Sequence, residues 1–115
     1  MAYVISISDP EGIPVFLGEA EWQRHILIHH PEVANFLNDV ERILQSPDAR
    51  HRDPEDERVH LHYGRIAEPR RLHPKLAYLL VVIKYVDAPE REFQRTGFVS
   101  SVYFLRELKR RGRPL

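Results

Sequence analysis

Eleven consecutive residues, Leu76 to Val86, read L-A-Y-L-L-V-V-I-K-Y-V. A strand sends alternate side chains to opposite faces, so a run that is apolar at nearly every position needs cover on both sides. That demand makes it a central strand of a sheet. Lys84 is the one charge within it. The rest of the chain has to supply flanking strands and a covering layer.

The flanks are legible from their alternation. Arg58 to Ile66, R-V-H-L-H-Y-G-R-I, puts Val59, Leu61, Tyr63 and Arg65 on one side and His60 and His62 on the other, which predicts a half-exposed strand with the histidines on a solvated face. Thr96 to Leu105, T-G-F-V-S-S-V-Y-F-L, predicts a further strand in which Val99, Ser101 and Tyr103 share a face. At the N-terminus Y-V-I-S-I-S and G-I-P-V-F-L are separated by D-P-E-G from Asp9, a turn signal that predicts a hairpin. Pro14 restricts the second of these strands to an edge or sets its start.

The covering layer comes from the segment after Gly18, where the pattern turns helical. One helix is expected to end near His30, because Pro31 lacks an N–H and suits the first position of a new helix; Glu32 behind it complements the positive end of that helix. Phe36, Leu37, Val40, Ile43 and Leu44 recur three and four apart, an apolar stripe to face a sheet. Ser46-Pro47 ends it. Pro47 to Glu57 reads as an exposed loop, A-E-P-R-R-L-H-P-K as a second, A-P-E-R-E-F-Q-R as a third, and the basic tail as one or two helical turns and then a frayed end. The order of hairpin, two helices and three strands predicts an α+β domain, a three-strand antiparallel sheet with the helices packed on one face.

The 115 residues make one domain, 1–115. Seventeen basic residues balance seventeen acidic ones, so no global field advertises a polyanion partner, and nucleic-acid binding needs a local patch. The absence of cysteine removes disulfides, thiolate metal sites and a cysteine nucleophile, and fits a reducing compartment. Neither a leader peptide nor a membrane-length apolar run is visible, so the expectation is a soluble cytoplasmic protein without a membrane partner.

Chemistry concentrates in Trp22 to Val33, W-Q-R-H-I-L-I-H-H-P-E-V, which holds three of the seven histidines and the only tryptophan. On a helix His25 and His29 share one face and Trp22 and Ile26 a neighbouring one, so the apolar pair docks while the imidazoles stay reachable. An imidazole gives and takes a proton near neutral pH. Solvated surface histidines or helix caps are the alternative for the same cluster. With Tyr63, Arg65, Lys84, Ser101 and Tyr103 on strands, the inventory suits RNA cleavage without a metal: a base for the 2′-OH proton, cations for the phosphorane, and an acid or hydroxyl at the leaving oxygen.

The run W-x-x-H-I-x-x-x-H-P-E, present as Trp22, His25, Ile26, His30, Pro31 and Glu32, resembles the signature of small phage and mobile-element nucleases of the barnase, EndoU, colicin and RelE-like superfamily. The resemblance extends to Gly97, Val99, Ser101 and Tyr103 and to the apolar strand ending at Lys84. Serine stands at 101 where that family more often has threonine, and His29 stands where it frequently has arginine. The resemblance implies a RelE/barnase-like fold and a metal-independent, toxin-like endoribonuclease forming 2′,3′-cyclic phosphates. His25, His30, Arg65, Lys84, Ser101 and Tyr103 would be catalytic, and His29 and Tyr63 would bind substrate. It implies no cofactor, with RNA as substrate and an antitoxin or immunity protein as partner. Two other classes stay open: a catalytically inactive RNA- or protein-binding module, and a zinc-dependent hydrolase. The latter has His25 and His29 at ligand spacing, but Ile26 stands where H-E-x-x-H needs glutamate.

Overall fold

The computed structural model describes residues 2–87, 95–106 and 113–115. Most of the third loop and of the basic tail lie outside the described residues.

The hairpin forms as the turn signal predicts. Strand β1 (Tyr3–Ser8) pairs antiparallel with β2 (Pro14–Gly18). Asp9 shapes the turn by accepting the Glu11 N–H at 2.8 Å and the Ile13 N–H at 2.9 Å on one carboxylate oxygen. Gly12 supplies the left-handed residue, with φ of 81°.

A continuous helix, α1, follows over residues 19–29 and buries Trp22 and Ile26. Its middle, Trp22–Ile26, is π-helical, and the Leu27 N–H closes it by donating to the Trp22 carbonyl five residues back. His30 is the corner: its φ of −136° and ψ of 66° leave the helical region. Its N–H still donates to the Ile26 carbonyl at 2.7 Å, while its own carbonyl accepts the Val33 N–H at 3.2 Å. Pro31 opens a 3-10 turn over Pro31–Phe36, which runs into helix α2 (Leu37–Gln45). Val40, Ile43 and Leu44 of α2 are buried, as the stripe requires.

The α+β class holds, but the three-strand antiparallel sheet does not. One seven-stranded mixed sheet contains every strand among the described residues, in the order β1-β2-β6-β5-β4-β3-β7. Here β3 is Ala49–Arg52, β4 Val59–Arg65, β5 Tyr78–Asp87, β6 Arg95–Leu105 and β7 Arg113–Pro114. The hairpin joins through a parallel contact of β2 with β6, Val15 opposite Gly97 and Phe16 opposite Phe98. The supposed exposed loop after Pro47 contains β3, and the end of the basic tail pairs with β3 as β7. The apolar run is β5, fourth of the seven, as its two apolar faces demand.

Which face β4 turns inward is the second correction. In its register His60 lies opposite Ile83, His62 opposite Val81 and Gly64 opposite Leu79, so the histidines share the side that α2 covers. They are 4% and 0% exposed, not solvated. The other side is packed as well, with Leu61, Tyr63 and Leu80 buried beside Val59, Val82, Tyr103 and Leu105. Apart from Arg65, exposed at the strand's end, both alternating sets of β4 are interior.

Gly64 marks the closest approach of helix and sheet, since a methyl group there would land inside the Ile43 side chain. Overpacking of this kind typically costs about 1–3 kcal/mol. Gly64→Ala is therefore expected to lower the thermal midpoint by several degrees with the fold retained. An unchanged midpoint in a calorimetric scan would show that α2 lifts off without cost.

Candidate functional site

Strand β6 carries an irregularity that shapes the site. Val82 of β5 faces Ser101 but Ile83 faces Val99, so Ser100 is an extra residue bulged out of the ladder. A bulge twists its strand and re-aims side chains. Val99 consequently faces the helix-side core while Ser101 and Tyr103 face the other side, which corrects the expectation that the three share a face. The Ser100 hydroxyl donates to the Val82 carbonyl at 3.4 Å.

Beside the bulge a cleft of roughly 1010 Å³ lies between the start of α1 and the sheet. Lys84 and Ser100 line it from the strands, Glu21 and Arg24 from the helix, and Phe16 and Phe98 form part of its floor. The rings make a row: Tyr3 and Phe16 are 4.7 Å apart between centroids and Phe16 and Phe98 6.1 Å. Exposed aromatic faces in a row with cations alongside are a platform for stacking planar rings. The lining balances Lys84 and Arg24 against Glu19 and Glu21.

The three histidines lie further along α1 and at its end. His25 lies in the π-helical segment, is exposed, and is not among the residues that line the cleft; its Nε2 is 4.0 Å from Oε1 of Glu21, which does line it. Its ring is 5.0 Å from that of His29, also exposed. His30 is half-buried, pairs with Glu32 at 3.4 Å through Nδ1, and stacks on Tyr103 at 5.3 Å with the planes 28° apart. A π-helical turn is rare and often accompanies a functional site. Trp22 and Ile26 anchor the segment and leave the imidazoles outward.

Of the residues expected from sequence, Lys84 lines the cleft, with Ser101 two positions along the ladder and Tyr103 two further. Arg65 is not with them. It pairs opposite Tyr78 while Lys84 pairs opposite Val59, a separation along the sheet of roughly 20 Å. Its backbone is held by Asp48, which accepts its N–H at 2.6 Å, and by Arg42, which donates to its carbonyl at 3.2 Å. Tyr63 is fully buried, edge-on to His51 at 5.6 Å, and packs the second core. Glu21, Arg24, Phe16, Phe98 and Ser100 are additions that sequence reasoning missed. W-Q-R-H carried a signal for Arg24, one residue before the histidine it singled out.

A second polar group sits inside the helix-side core. The Tyr85 hydroxyl donates to Asp9 Oδ2 at 2.7 Å, and burial followed by that hydrogen bond holds the phenol well above its usual range. His62 Nδ1 lies 3.3 Å from the Ile43 carbonyl while its Nε2 accepts from Arg50 Nε at 3.2 Å. Burial first, then the Arg50 charge, push this imidazole down to about 4. His60 packs its ring 4.4 Å from that of Tyr85 and is also lowered, by burial and then by Arg50 and Arg52.

The chain matches no family model, no curated protein and no solved structure. Among the described residues no group of three or more histidine, cysteine, aspartate or glutamate side chains is arranged to hold a metal ion, and no helix is long and apolar enough to cross a membrane.

Proposed function

We propose that the cleft binds single-stranded RNA and that the chain is a metal-independent endoribonuclease of the kind its His25 motif resembles. The observation that carries this reading is the convergence of Lys84, Arg24 and a serine hydroxyl with an aromatic row in one cleft, where Glu21 of the lining lies 4.0 Å from His25. Bases stack on Phe16 and Phe98, and a backbone phosphate lies toward Lys84 and Arg24. The 2′-oxygen attacks phosphorus, the bond to the 5′-oxygen breaks, and a 2′,3′-cyclic phosphate results. One proton leaves the 2′-OH and one reaches the departing oxygen, and His25 is the residue offered for that transfer, oriented by Glu21. Lys84 and Arg24 offset the added charge on the phosphorane. A toxin-like role with a cognate antitoxin or immunity protein belongs to the same reading.

The absence of His25 from the lining of the cleft favours one competing reading, a module that holds RNA or a protein partner without turnover. Incubating the protein with unstructured RNA in EDTA and resolving the product ends separates them. The nuclease reading expects cyclic-phosphate ends that survive chelation, and a loss of about a hundredfold for Lys84→Ala. Tight binding with no cleavage selects the module. Cleavage abolished by EDTA and restored by zinc would return the zinc hydrolase to contention.

A further inference from the structure

The helix-side polar group holds more donors than its acceptors use. Arg50 and Arg52 of β3 pair across the ladder with His62 and His60 of β4, which puts all four side chains on one side of the sheet. Arg50 Nε is committed to His62 and its Nη1 lies 3.7 Å from Glu11 Oε1. Its Nη2 is buried without a hydrogen-bond partner among the described residues, as is Arg52 Nε. Both ring nitrogens of His60, a residue only 4% exposed, are in the same condition.

The acidic groups nearby are already engaged. Asp9 Oδ1 takes the Glu11 and Ile13 N–H groups, and Oδ2 takes the Tyr85 hydroxyl. Glu11 meets only the outer nitrogen of Arg50, from an exposed position. Tyr85 uses its hydroxyl on Asp9, and His62 uses both nitrogens on Ile43 and Arg50. Buried guanidinium N–H groups and ring nitrogens left without partners are costly, and native interiors pair nearly all of them. Asp9 and Glu11 balance the two arginine charges, yet neither is hydrogen-bonded to Arg50 Nη2, Arg52 Nε or His60, and the fork of an arginine fits several oxygens on one centre.

We propose that Arg50, Arg52 and His60 form a binding site for a tetrahedral oxyanion of the phosphate class. It is separate from the cleft: Lys84 and Tyr85 are neighbours on β5, so their side chains take opposite faces, and the oxyanion lies on the side of Tyr85. Arg50 Nη2 and Arg52 Nε donate to its oxygens, and a ring N–H of His60 donates to a third. Both arginines are only partly buried, which leaves a small ion a way in.

The test is the thermal midpoint of the full chain at constant ionic strength as chloride is replaced by inorganic phosphate or by ribose 5-phosphate. A rise of roughly 10 °C is expected once phosphate exceeds its Kd a hundredfold, and Arg52→Gln abolishes it. In the wild type, the His60 imidazole resonances should shift along the same titration, a readout that needs no variant to fold. A shift with both probes supports a site that takes a terminal phosphate, and a shift with inorganic phosphate alone supports one for the free ion. An equal rise in wild type and Arg52→Gln with the His60 resonances unmoved is a general salt effect and overturns the site.

Discussion

His25→Ala lowers the rate of RNA cleavage by about 10²- to 10⁴-fold, the span expected when a positioned acid–base group is removed. At 1.36 kcal/mol per tenfold that is about 3–5 kcal/mol of barrier. The substitution leaves the fold alone, because His25 is exposed while Trp22 and Ile26 carry the packing of its helix, and exposed positions usually change stability by no more than about 0.5 kcal/mol. Lost activity with an unchanged thermal midpoint is the signature to look for, measured as initial rate on a fluorogenic RNA. His29→Ala is the internal control: its ring neighbours His25, but it is His25 that pairs with Glu21 of the cleft lining, so its effect should stay within a few-fold. A His25→Ala rate within a few-fold of wild type would remove the imidazole from the chemistry and leave Lys84 and Arg24 as a binding surface alone.

What the sequence disclosed follows from how local each signal is. The D-P-E-G turn, the Pro31 restart and the buried stripe of α2 depend on neighbours within a few residues, and all three stand in the fold. Strand β3 was hidden because A-R-H-R has no apolar alternation of its own and sits among prolines and acids; its pairing with β4 forms it. The parallel contact of β2 with β6 joins residues more than eighty apart in number, Val15 with Gly97, and no local pattern encodes it. That contact sets Phe16 beside Phe98, so the aromatic floor of the cleft was equally out of reach. Lys84 was visible because a charge in an apolar strand stands out, whereas Ser100 was not, because an unforeseen bulge exchanged it for Ser101 as the lining residue. The histidines of β4 misled for a chemical reason. Alternation fixed which residues share a side, but polarity suggested water for the side that instead holds Tyr85, Ile83 and Val81.

That buried placement makes stability depend on pH in a definite direction. His62 has a folded pKa of about 4 against 6.5 for the free imidazole, so between those values the unfolded chain binds more protons than the folded one. Stability then rises with pH across that window and is fully present above 6.5. As the pH falls from 6.5 to 4 the native state loses about 3 kcal/mol from this residue, a large share of the 5–15 kcal/mol typical of a domain. Lowered His60 adds to the loss in the same direction. The cause is burial first and then the charge of Arg50, whose Nε donates to one of the ring nitrogens. His62→Gln isolates the effect, since an amide can donate to the Ile43 carbonyl and accept from Arg50 while staying neutral throughout. Urea midpoints from pH 7 to pH 4 should fall steeply for the wild type and more gently for the variant, the carboxylates and His60 being common to both. Parallel slopes would mean that residue 62 takes up its proton in the native state as readily as in the unfolded one, and the buried pairing with Arg50 would have to be given up.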